Sequence, residues 1–168
     1  MKRAFIVAGP GSTGTHLVAQ ILQEMGCASE ELIRWNSWLP LEEDLAVIRW
    51  SYPHAKRWPD MTKVRETLSM REYKVREIIT MRDYKATIAS QLEHKHVRSE
   101  REARRNITEA YRRLFSNPIE FPLIVSYDSL VRRPKKFIAW LSEELGLSGE
   151  VTVSVTDETV KHYKIEEE

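Results

Sequence analysis

The chain has 168 residues, 42% of them hydrophobic, with 26 basic and 25 acidic side chains and a formal charge of +1. Those values suit one domain over 1–168 with a substantial core; they exclude a disordered linker and a surface built to attract polyanions at large, so any anion selectivity has to be local. The single cysteine, Cys27, rules out an internal disulfide, and no apolar run is long enough for a membrane helix or signal peptide; the expectation is a cytoplasmic protein without membrane or nucleic-acid partners.

Ala4 to Ala8 reads as a short buried strand running into Gly9-Pro10-Gly11-Ser12-Thr13-Gly14-Thr15, a glycine-bearing loop that opens a helix. That helix places Leu17, Val18, Ile21, Leu22 and Met25 on one side and ends near Gly26. A strand, a tight turn and a helix N-terminus aim several backbone N–H groups at one spot, where the helix dipole also favours negative charge. The loop has the Gly-x-x-x-x-Gly frame of a Walker A motif, but the lysine position holds Thr15 and the next holds His16. Without that lysine and the magnesium-binding hydroxyl, ordinary ATP or GTP hydrolysis loses its main supports. A bare strand-to-helix turn is the alternative.

Further strands follow at Leu45 to Trp50, Glu77 to Met81 and Pro122 to Ser126, with helical patterns between them. Short apolar strands separated by helices indicate βαβ units, hence a parallel sheet covered on both faces. Trp35, Trp38, Trp50 and Trp58 cluster around the second strand, either as an aromatic wall for a substrate or as packing. The arginine-rich stretch 97–115 resembles a nucleic-acid-binding arm only in composition. At about 100° per residue, Ala103, Ile107, Ala110, Tyr111 and Leu114 share one face and mixed charges the other, with Glu100–Arg104 and Glu109–Arg113 in supportive order, as in a solvated surface helix.

Arg82 stands at the C-terminal end of the third strand and Ser90 eight residues on, in the next helix. Ligands of open α/β sheets sit at that edge, where an arginine can hold a phosphate through forked hydrogen bonds. Pairing of Arg82 with Asp83 or another carboxylate is the competing reading. Residues 124–147 then give strand, Tyr127-Asp128-Ser129-Leu130-Val131, Pro134 near a helix start, and an apolar stripe ending at Gly146.

GPGSTGTH, MRDYKATIAS and VSYDSLVRRPKKFIAWLSEELGL, in that order, resemble the three motifs of the sulfotransferases that use 3′-phosphoadenosine 5′-phosphosulfate (PAPS). The resemblance spans residues 4–147. It implies a three-layer α/β/α fold with a central, mostly parallel sheet of the P-loop NTPase-like kind, PAPS as sulfuryl donor, adenosine 3′,5′-bisphosphate as product and no required metal. On this resemblance Gly11, Ser12, Thr13, Gly14, Thr15 and His16 line the 5′-phosphosulfate, and Arg82 and Ser90 hold the 3′-phosphate. Ser12 takes the catalytic position where many members carry a basic residue, so either another cation, from Lys56, Arg57 or Lys85, substitutes or transfer is weak or absent. His54, just after the second strand, is the expected acceptor base.

The tail from about 150 to 168 either folds back, bringing Lys161 to the 3′-phosphate, or only solubilises the chain end. The acceptor is a small molecule or carbohydrate, in a site that is open or completed by a second copy of the chain. Two other functions compete with transfer: a nucleotide-binding protein of the same fold that has lost it, and a small kinase or NTPase with a degenerate loop.

Overall fold

The computed structural model describes residues 1–30, 43–53, 57–58, 60–116 and 121–155. Five parallel strands form one sheet in the order β2-β3-β1-β4-β5, with β1 at Lys2–Pro10, β2 at Ala28–Glu30, β3 at Leu45–Tyr52, β4 at Tyr73–Met81 and β5 at Leu123–Ser126. The helices are α1 (Thr15–Glu24), α2 (Met61–Met70), α3 (Tyr84–Glu93), α4 (Glu100–Ser116), α5 (Tyr127–Arg132) and α6 (Pro134–Leu145).

Strand β1 takes the centre because both of its faces are apolar. Phe5 and Val7 pack on one side with Val18, Ile21 and Leu22 of α1 and with Leu130 and Leu141 of α5 and α6. Ala4, Ile6 and Ala8 face the other side, against Val64 and Leu68 of α2 and Ala110 and Leu114 of α4. With a two-residue strand period, one uninterrupted apolar run thus serves two cores, and the three-layer α/β/α arrangement follows.

All four strands expected from sequence are present. β4 begins at Tyr73, four residues before the expected Glu77, because Tyr73 and Val75 continue the inward pattern. β2 has no sequence signal, being a three-residue edge strand of Ala28, Ser29 and Glu30. The segment from Tyr127 forms a separate short helix, capped where the Ser126 side chain accepts from Ser129 N–H at 3.2 Å. Pro134 then starts α6, and Gly146 ends it in the left-handed conformation.

Helix α4 buries Ala103, Ile107, Ala110 and Leu114, the expected face, with Tyr111 half-buried beside them. Its exposed side carries the anticipated Arg104–Glu100 and Arg113–Glu109 pairs. A third cluster, Ile88, Val97, Ala103 and Ile107, fixes the α3–α4 turn against α4. Between α2 and β4 the buried Arg65 and Glu77 pair with each other.

No described helix is long and apolar enough to cross a membrane. Cys27 is buried, and loss of hydration pushes its thiol up to about 11. The nucleophile is the thiolate, so a disulfide reagent at pH 8 is expected to label Cys27 only as fast as the chain unfolds, and at once in denaturant. Immediate labelling of the native protein would contradict that burial.

Candidate functional site

The connection from β1 to β2 passes to one side of β1, over β3, and that from β3 to β4 returns across β1 to the other side. The C-terminal end of β1 is therefore the switch point of the sheet, where open α/β folds leave a ligand crevice. The loop from Gly9 to Gly14 occupies it.

Close packing shapes the loop from beneath. Thr13 is fully buried; its hydroxyl donates to Pro10 O at 2.7 Å and lies 2.7 Å from the Thr80 hydroxyl, and its N–H also donates to Pro10 O. The Thr80 hydroxyl also lies 3.4 Å from Ala8 O, to which it can donate. Thr13 therefore braces the loop with both its hydroxyl and its N–H. A Cβ on Gly9 would lie 2.2 Å from the Thr80 hydroxyl oxygen, so only glycine lets β1 approach β4 so closely.

Ser12 and Gly14 both have positive φ, 67° and 87°. Gly14 precedes α1 with no side-chain cap, so the first-turn N–H groups of Thr15, His16 and Leu17 have no acceptor inside the helix. Thr15 is buried and His16 exposed.

Three segments distant in sequence converge on this loop. From the end of β4, Arg82 donates through Nη1 to Ser12 O at 3.0 Å. From α3, Gln91 donates to Gly11 O at 2.7 Å. From the start of α5, Tyr127 lies against Gly14 and under the Arg82 guanidinium, which sits 5.1 Å from its ring centre.

Arg82 makes no ion pair among the described residues. Asp83 instead caps α3 through Ala86 N–H at 2.8 Å, and Asp128 accepts from Asp83 N–H at 2.8 Å. Among the described residues, Arg82 Nε and Nη2 are buried without a hydrogen-bond partner, as is Asp128 Oδ1. Burial lowers the Arg82 pKa, opposed by the charges of Tyr127, Asp128 and Asp83. A guanidinium remains charged under such a shift, so its two idle donors call for an anionic acceptor.

A cavity of about 560 Å³ opens beside the loop, lined by Gly11, Ser12, Ser51, Pro53, Trp58 and Gln91. Lys95, His96, Val97, Glu102, Arg105 and Asn106 of the α3–α4 region close its far side. Of the two described tryptophans of the expected wall, Trp58 reaches it, with the Arg113 guanidinium 4.7 Å from its ring centre. Trp50 is core packing. Trp35, Trp38, His54, Lys56 and Lys161 lie outside the described residues.

Ser90 is buried in α3 and is not part of the cavity lining; Arg57 and Lys85 are exposed and do not line it either. Among the described residues, the lysine and arginine that do are Lys95 and Arg105. Sequence reasoning missed them, along with Thr80, Gln91 and the contacts of Tyr127. A glutamine and a threonine at positions of apolar period were the available signals for Gln91 and Thr80.

No family model matches the chain. No curated protein matches it either. Among solved structures it is similar to the sulfotransferase domain of the olefin synthase from Synechococcus PCC 7002, at 17% identity and a TM-score of 0.52, over 89% of this chain and 74% of that one. A likeness at that identity shows a shared α/β fold, that of a sulfotransferase domain.

Proposed function

We propose that the chain is a sulfotransferase that draws its sulfuryl group from PAPS and passes it to a hydroxyl or amine of a small-molecule or carbohydrate acceptor. The observation that carries this reading is Arg82, whose buried, partnerless Nε and Nη2 belong to the same guanidinium that holds the loop at Ser12. The residues suit a nucleotide with phosphates at two positions: an arginine with idle donors, and a loop whose helix start offers uncapped N–H groups.

PAPS, when bound, supplies an activated sulfuryl group on a phosphate leaving group. The chain's part is to orient and to compensate charge. Thr13, Thr80 and Gln91 hold the loop rigid, so its amides need no reorganisation as charge develops. Arg82 and Ser90 anchor the 3′-phosphate in this reading. The cavity beside Gly11 and Ser12 receives the acceptor, with Trp58 as its apolar wall. His54 takes the acceptor proton.

Incubation with ³⁵S-labelled PAPS and a panel of sugars, phenols and amines is expected to label at least one acceptor. No transfer to any, with no binding of adenosine 3′,5′-bisphosphate by calorimetry, would sink the proposal. Ser12, in the place of the loop cation, motivates a second reading: a protein that binds the nucleotide without turning it over. Tight calorimetric binding with no transfer would select it. A kinase or NTPase role has no phosphate-reaching lysine at Thr15 and would need ATP to bind more tightly than PAPS.

A further inference from the structure

Helix α3 ends in an arrangement that normally calls for glycine. Lys95 N–H bonds to Leu92 O and His96 N–H to Gln91 O, the paired bonds of a Schellman turn, and the residue at its left-handed position is Lys95, with φ 55°. Gly26 and Gly146 show positive φ where α1 and α6 end. A lysine there is strained, because its Cβ crowds the backbone in that region.

The turn faces the loop. Lys95 and His96 line the cavity together with Gly11 and Ser12, and His96 Nδ1 lies 3.8 Å from where a Gly11 Cβ would stand. Gln91, whose carbonyl anchors the turn, also ties Gly11 to α3 through its side chain. The loop and the turn are thereby held as one unit, with a neutral serine on one side and a conformationally disfavoured lysine on the other.

We propose that Lys95 supplies the positive charge missing at Ser12. This rests on the reading of the loop as the phosphosulfate site. Lys95 holds its ammonium toward the phosphate oxygen that gains negative charge as its bond to sulfur breaks; the sulfuryl group bonds to the acceptor oxygen or nitrogen, whose proton leaves to a base. A flexible four-carbon stem suits a point charge delivered from a neighbouring turn. Strain retained at a turn fits a functional demand on the side chain better than a structural one.

The test is Lys95→Gly, compared with the unaltered chain and with Lys95→Arg. If Lys95 serves the site, glycine relieves the turn and the melting temperature rises by about 2 °C. At the same time kcat for transfer falls about 100-fold, with acceptor KM little changed. Binding of adenosine 3′,5′-bisphosphate weakens about tenfold, whereas adenosine 3′-phosphate, which lacks the 5′ group, binds as before; Lys95→Arg recovers part of both losses.

A purely structural lysine, present for the helix dipole, would give Lys95→Gly unaltered kcat and nucleotide affinity, and that overturns the proposal. If Arg105→Ala removes transfer while Lys95→Gly does not, Arg105 is the cation and the proposal also fails. Should the unaltered chain bind neither nucleotide, the phosphosulfate reading itself falls and takes this inference with it. Lys95→Asn, neutral and tolerant of the left-handed region, repeats the test should the glycine variant not fold.

Discussion

Arg82→Ala is expected to weaken binding of adenosine 3′,5′-bisphosphate by about 100-fold, with a smaller effect on stability. The magnitude follows from the donors involved. Nη1 is occupied by Ser12 O, which leaves Nε and Nη2, a forked pair able to grip two oxygens of one phosphate. A hydrogen bond to a charged group contributes roughly 1.5–3 kcal/mol, so losing the pair, discounted for the partial exposure of the side chain, comes to about 3 kcal/mol. Lysine cannot reproduce the fork, and Arg82→Lys should recover little of the loss. Calorimetry at fixed ionic strength gives the affinities, and thermal unfolding separates them from the loosening of the loop at Ser12. Unchanged affinity in the alanine variant would remove the phosphate role from Arg82.

How much of this was legible beforehand depended on how local the signal was. β1 could be read because a double-sided apolar run has few other uses. Arg82 could be placed because the end of a buried parallel strand delivers its next residue to the ligand edge. Contacts that depend on tertiary closure could not be read. Residues 124–147 read locally as strand, short segment and helix, yet Tyr127 forms the wall behind Gly14 and the surface beneath Arg82.

The cations near the loop show the same limit. Of the candidates from sequence position, Arg57 and Lys85 do not line the cavity, whereas Lys95 of the α3–α4 turn and Arg105 of α4 do. That turn is positioned by Val97 and Ile107 packing, which no pattern around residue 95 announces. His96 comes beside Gly11 by the same turn. The residue types were all visible; their meeting place was set by how α3 and α4 pack.

Gly14→Ala should destabilise the protein by about 3 kcal/mol or more and remove nucleotide binding with it. Two independent penalties combine. At φ 87° alanine pays the left-handed cost that glycine escapes, and its Cβ would lie 2.1 Å from Tyr127 Cδ2, with Cε2 and Cγ also inside contact distance. The ring cannot simply step aside, since the Arg82 guanidinium lies over it and Arg82 in turn holds Ser12. Combining Gly14→Ala with Tyr127→Ala isolates the steric part: the clash vanishes while the backbone penalty stays. The double variant should therefore lose about 1 kcal/mol or more less than the sum of the single losses, measured by chemical denaturation. Strict additivity would mean that Tyr127 does not wall the loop, and the convergence of the first and third motifs on that loop would lose its physical basis.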